Sequence, residues 1–93
     1  MFSERLKDLR EAARLSQVQL AKELNTSKQS ISNWENNNIL PSIDVLVKVI
    51  RYFNVSADFI LGLNDRKFIE VSNLTLEEVS HVQQIINDIT KGR

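Results

Sequence analysis

Gln17-Val-Gln-Leu-Ala-Lys-Glu-Leu-Asn-Thr-Ser-Lys-Gln-Ser-Ile-Ser-Asn-Trp-Glu-Asn36 is the stretch on which the fold turns. It holds two short helical patterns. In the first, Gln17–Leu24, the apolar residues Val18, Ala21 and Leu24 recur at helical spacing beside Leu20. Ser16 precedes it with Gln19 three residues on, a capping box. In the second, Lys28–Asn36, only Ile31 and Trp34 are apolar, and Ser27 stands at the cap. The connection is Asn25-Thr-Ser, and asparagine tolerates the left-handed conformation a tight turn needs. Such a turn sets the second helix nearly perpendicular to the first. Leu20, Ala21, Leu24, Ile31 and Trp34 lock the pair, and Ala21 is small where the helices approach. This is a helix-turn-helix unit.

Further helices flank the pair. Leu6, Leu9 and Ala13 mark one face of a helix from about Ser3 to Arg14. After the loop Asn37 to Pro41, Ser42 caps a helix carrying Ile43, Leu46, Val47, Val49, Ile50 and Phe53. It is the most apolar segment, so the central position is expected for it. Asn54 ends it. Ser56 caps a short helix, Ala57 to Leu61, which Gly62 closes. Residues 64–74 read as a linker, with Phe68-Ile-Glu-Val71 as a brief extended piece. Thr75-Leu-Glu-Glu78 is a second capping box and opens a last helix, Leu76 to about Thr90. Glu77 and Glu78 are explained by that cap and the helix dipole rather than by catalysis.

Composition narrows the function. The 93 residues include no cysteine and one histidine, His81, which leaves neither disulfides nor an ordinary metal site, and no cofactor is expected. Two distant glycines exclude a phosphate-cradling loop. One histidine and no cysteine build no nucleophile–base–orienter set, so an enzyme is not expected. No apolar run approaches the ~20 residues of a membrane helix, and the first residues carry no signal-like stretch. A cytoplasmic protein without a membrane partner is the expectation. Zero net charge, from twelve basic and twelve acidic residues, argues at first against a nucleic-acid partner. The polar face of the second motif helix argues the other way. Lys28, Gln29, Ser30, Ser32 and Asn33 include no acid, whereas an ordinary solvated face mixes glutamate with lysine.

The stretch from Leu15 to Glu35 closely resembles the helix-turn-helix of the Cro/lambda-repressor family. The likeness runs on through Pro41-Ser42 and Phe53-Asn-Val-Ser56 and covers about residues 3 to 62. It implies a five-helix DNA-binding bundle (residues 1–63), to which the chain's own pattern adds a linker (64–74) and a C-terminal amphipathic helix (75–93), giving an all-α fold. It implies a transcriptional regulator of double-stranded DNA, most like a prophage or mobile-element repressor, bacterial or phage-encoded and nucleoid-associated. Asn25 departs from the family's usual glycine at the turn. Carried over by position, Lys28, Gln29, Ser32 and Asn33 are the base readers, of which Ser32 is the weakest. Lysine donates to guanine, and glutamine and asparagine pair bidentately with adenine. Gln17, Ser27, Ser30, Asn36 and Asn38 fall where the family meets the DNA backbone. Arg10 and Glu35 match an internal ion pair. Trp34, in register with Ile31, belongs to the core rather than to a stacking platform, and Phe53 and Phe59 are read the same way.

In the last helix, Val79, Val82, Ile86 and Ile89 are spaced 3, 4, 3, the seam of a short coiled coil. The family's bundle is complete by Leu61, so this seam needs another surface: its own domain, if the helix folds back, or the same helix of a second subunit, and the homodimer is favoured. The alternative is an antitoxin-like or antirepressor-binding module that uses this helix to hold a toxin or antirepressor. The zero charge divides along the same line. Residues 1–67 carry ten basic and eight acidic groups, and residues 68–93 carry two and four. Few phosphates can then be neutralised by side-chain charge, and most backbone contacts must be neutral hydrogen bonds. DNA affinity is therefore expected to fall shallowly with salt. A titration from low to physiological ionic strength measures this, and a slope typical of strongly basic proteins would contradict the assignment.

Overall fold

The computed structural model describes residues 2–37 and 39–93. It contains six helices and, among the described residues, no strand: α1 (Phe2–Ala12), α2 (Gln17–Glu23), α3 (Lys28–Asn36), α4 (Ile43–Phe53), α5 (Ala57–Ile60) and α6 (Leu76–Lys91). None is long and apolar enough to cross a membrane.

The helix starts follow from local chemistry. Ser16, Ser27, Ser42, Ser56 and Thr75 sit at N-caps in extended conformation, and each side-chain oxygen accepts the amide of the residue three positions on. Ser16 and Thr75 complete capping boxes, with Gln19 and Glu78 reaching back to the cap amides. The ends of α1, α2, α4 and α5 also share one device. Arg14, Asn25, Asn54 and Gly62 all adopt positive φ, between 54° and 77°. Beyond each, an amide folds back onto a carbonyl of the last turn: Leu15 onto Arg10, Thr26 onto Ala21, Val55 onto Ile50 and Leu63 onto Asp58. These bonds satisfy carbonyls that the helix leaves without partners.

The core is formed by Phe2, Leu6, Leu20, Ala21, Leu24, Ile31, Trp34, Val49 and Ile60. Leu9, Leu15, Leu46, Ile50, Phe53 and Leu61 pack against it. Phe59 is buried beside it. α3 lies against both α1 and α2, and α1 also meets α5.

Three expectations are corrected. α4 is peripheral: Val49 is its only fully buried residue, and Ile43 is 78% exposed. Apolar content ranked it first, but only the stripe Val45, Leu46, Val49, Ile50 and Phe53 faces the bundle, and the middle belongs to α3. α1 ends at Ala12, so Ala13 has left the helix and is exposed, and Arg14 supplies the left-handed turn. In α2, Val18 is 46% exposed, and Leu20, Ala21 and Leu24 carry the packing.

Residues 64–75 run along the bundle without forming a strand. At Phe68–Val71, read as a brief extended piece, Asn54 donates its amide to the Glu70 carbonyl at 2.7 Å and accepts the Glu70 amide at 3.4 Å. The hydroxyl and amide of Ser72 both donate to the Glu70 carboxylate, which holds it below the ordinary carboxylate range. α6 follows with no fully buried residue.

The left-handed positions generate a stability test. A Cβ-bearing residue there costs about 1–2 kcal/mol, less for asparagine. Arg14→Gly is expected to raise stability by about 0.5–1 kcal/mol after the entropy cost of glycine is counted, and Asn25→Val to lower it by about 1–2 kcal/mol. Urea midpoints at constant slope measure both. A destabilising Arg14→Gly would show that the arginine side chain matters more than the turn.

Candidate nucleic-acid interface

α3 enters from α2 through the turn Leu24 to Ser27 and lies against α1 and α2 with one side outward. The turn is held by Asn25 at φ 54° and by the amide bonds of Asn25 to Lys22 and Thr26 to Ala21, at 3.2 and 2.9 Å. Ile31 and Trp34 are buried on its inner side. The inner side carries a third residue, Glu35, whose side chain is completely buried.

A buried carboxylate must be paired or it drives the chain apart. Arg10 of α1 supplies the partner in fork geometry, Nε to Oε2 at 2.7 Å and Nη2 to Oε1 at 2.9 Å. The guanidinium also donates to the Leu15 carbonyl at 2.8 Å, bracing the α1–α2 loop. Hydrogen bonding to Glu35 holds Arg10 above its ordinary range, against the opposing effect of burial. Gln17, at the first position of α2, donates Nε2 to Oε1 of Glu35 at 3.2 Å. One carboxylate therefore joins α1, α2 and α3.

The outer side of α3 carries one cation, Lys28, and otherwise neutral hydrogen-bonding groups. Lys28 and Gln29 are exposed, and Ser30, Ser32 and Asn33 are half-buried. Gln29 Nε2 donates to Asn33 Oδ1 at 3.0 Å, and Asn37 Nδ2 donates to the same oxygen at 3.0 Å. Asn36 Nδ2 donates to Ser32 Oγ at 3.2 Å. At the helix start, Ser27 Oγ accepts the Ser30 amide at 3.1 Å and shares a hydrogen bond with Ser30 Oγ at 2.9 Å. A carboxamide nitrogen carries two protons, so each bond along this row leaves donor capacity for a further partner. The row pre-positions its side chains, which lowers the entropy cost of ordering them on a ligand.

Lys28, Gln29, Ser32 and Asn33 thus share one outer face. Ser27 and Ser30 lie at its N-terminal end and Asn36 at its C-terminal end. Gln17 stands apart, drawn toward Glu35. Asn38 lies outside the described residues. Asn37 was not singled out from the sequence, although its i+4 spacing from Asn33 was the available signal. The bond from Gln17 to Glu35 spans eighteen positions and leaves no local trace.

A helix-turn-helix family model matches residues 6–60. The chain belongs to the helix-turn-helix family. It is similar to a Bacillus subtilis (strain 168) protein named as the uncharacterized HTH-type transcriptional regulator YobD. The two are 37% identical over 78 residues, covering 84% of this chain and 70% of that one. It is similar also to the HTH-type transcriptional regulator ImmR of the same organism, at 29% identity over 87 residues, covering 94% of this chain and 68% of that one. A transcriptional regulator from Listeria innocua shares the fold, with a TM-score of 0.64 at 20% identity over 98% of this chain and 94% of that one. As a member of the helix-turn-helix family, the chain is a DNA-binding transcriptional regulator.

The ion pair that ties α1 to α3 can be tested without DNA. Arg10→Met leaves Glu35 as an uncompensated buried charge and is expected to cost about 3–5 kcal/mol. Arg10→Met with Glu35→Leu removes both charges and should recover most of that loss. Chemical denaturation of the single and double variants measures the difference. Equal losses in the two would show that the pair acts through packing alone.

Proposed function

We propose that this protein is a dimeric repressor that reads a near-palindromic operator in the major groove with α3. The observation that carries the reading is the acid-free outer face of α3, on which Gln29, Asn33 and Asn37 are already in hydrogen-bonded register. Lys28 is suited to a guanine edge, and Gln29 and Asn33 are suited to adenine. Ser32 is the weaker reader. Ser27, Ser30, Asn36 and Asn38 meet phosphates on either side, and Gln17 turns its second amide proton to the backbone while its first stays on Glu35. In this reading residues 1–63 bind DNA, 64–74 connect and 75–93 dimerise. Repression is steric, through an operator that overlaps a promoter.

The dimer reading rests on α6. Val79 and Val82 are half-buried, and Ile86 and Ile89 remain more than half exposed. The bundle's core contains no residue beyond Leu61, so the seam has no place in it. A 3-4-3 seam is complementary to a copy of itself, and a twofold pair puts two recognition helices in successive major grooves about 34 Å apart. The same open seam also suits a partner helix from a toxin or antirepressor. Sedimentation of the pure chain separates the two, since a stable monomer favours the foreign partner.

Selection of bound duplexes from a random pool is the direct test. A pair of inverted half-sites about one helical turn apart is expected. Gln29→Ala should weaken binding by about 1–3 kcal/mol and relax the preference at one symmetric position. A pool that yields no enriched site, or a selected site indifferent to Gln29→Ala, would sink the reading.

A further inference from the structure

We propose that Arg5 and Asn54 determine which spacing between half-sites the protein accepts, by strapping residues 64–70 to the bundle so that α6 leaves at one angle. The inference rests on the dimer reading and extends it.

The segment between bundle and last helix has two anchors. At its start, the Arg5 guanidinium donates Nη1 to the Asn64 carbonyl at 3.1 Å and Nη2 to Asp65 Oδ1 at 2.8 Å. The same group lies 4.3 Å over the ring of the buried Phe59. The ring fixes the fork from below and the strap is held from above. At its end, Asn54 exchanges two hydrogen bonds with Glu70, one from its side chain and one to its own carbonyl. Asn54 reaches this position because it occupies the left-handed turn that closes α4, at φ 56°. Between the anchors, Phe68 and Ile69 line an apolar groove with Leu9, Phe53 and Val55.

From Glu70 to α6 each step is also bonded. Glu70 accepts from Ser72, the Leu74 amide donates to the Val71 carbonyl at 2.9 Å, and the Thr75 capping box opens the helix. A run that composition marks as a linker therefore behaves as a lever. The bundle does not need it, because the core closes without any residue of the strap. What the two anchors fix is the direction of the segment that follows. In a dimer joined through α6, that direction sets the separation and rotation of the two recognition helices. One base pair of spacing rotates a half-site by about 35° around the DNA axis, so a fixed lever discriminates sharply and a loose one does not.

The test compares the full chain with an Arg5→Met, Asn54→Gly double variant. Methionine keeps an apolar stem over Phe59 but removes the fork, and glycine keeps the left-handed turn but removes the amide. Sedimentation of both proteins comes first. Each is then titrated against an isolated half-site and against duplexes whose two half-sites are separated by spacers stepped one base pair at a time. The wild type should prefer its best spacer over the adjacent ones by roughly tenfold, and the variant by no more than about threefold, with half-site affinity matching the wild type within about twofold. A dimeric variant that keeps the wild-type spacer profile overturns the proposal. A wild type that is monomeric, or indifferent to spacing, overturns the dimer reading first and this inference with it. If the double variant does not fold, the two single variants read each anchor separately, and wild-type profiles in both overturn the proposal.

Discussion

Glu35 is the group on which the arrangement depends. A carboxylate with no solvent exposure is unfavourable unless its charge is met and its lone pairs are used. Here Arg10 meets the charge in fork geometry and Gln17 takes a further lone pair, so α1 and α2 are drawn to one point on α3. Apolar packing of Leu20, Ala21, Leu24, Ile31 and Trp34 is compatible with a range of helix angles. A bidentate pair with bonds of 2.7 and 2.9 Å is compatible with very few. The interaction therefore acts through geometry more than through net stabilisation.

The chemistry of α3 is divided between two sides. Its inner side holds Ile31, Trp34 and Glu35, and its outer side holds short polar groups linked in rows. In the proposed reading, with so little spare positive charge, amides and hydroxyls meet DNA, and these interact only when well placed. The carboxamide row and the Ser27 cap with its bonds to Ser30 supply that placement. The negative balance of the last quarter of the chain lies beyond the helix-turn-helix match.

How much of this was legible in the sequence depends on distance along the chain. The five caps were readable because serine or threonine acts on a residue three positions away. Asn25 and Asn54 were readable because asparagine is itself a mark of the left-handed turn. Arg14 was not, since arginine carries no such mark and takes that conformation only because the α1–α2 turn requires it. The peripheral place of α4 was hidden for another reason: counting apolar residues ranks hydrophobicity but does not say which stripe faces inward. The strap was the least legible part, because Arg5 meets Asn64 and Asp65 across about sixty positions. At the candidate interface the residue types on α3 were plain, while the register between them, through Asn37, emerged only with side chains in place.

The central claim is that α3 meets base edges in the major groove. Dimethyl sulfate footprinting on a selected site tests it most directly, because the reagent marks guanine N7 in the major groove and adenine N3 in the minor groove. Protection of guanine N7 in two clusters about one helical turn apart, with adenine N3 still reactive, is the predicted result. Protection confined to adenine N3, or none at guanine N7 on a bound site that contains guanines, would contradict the account.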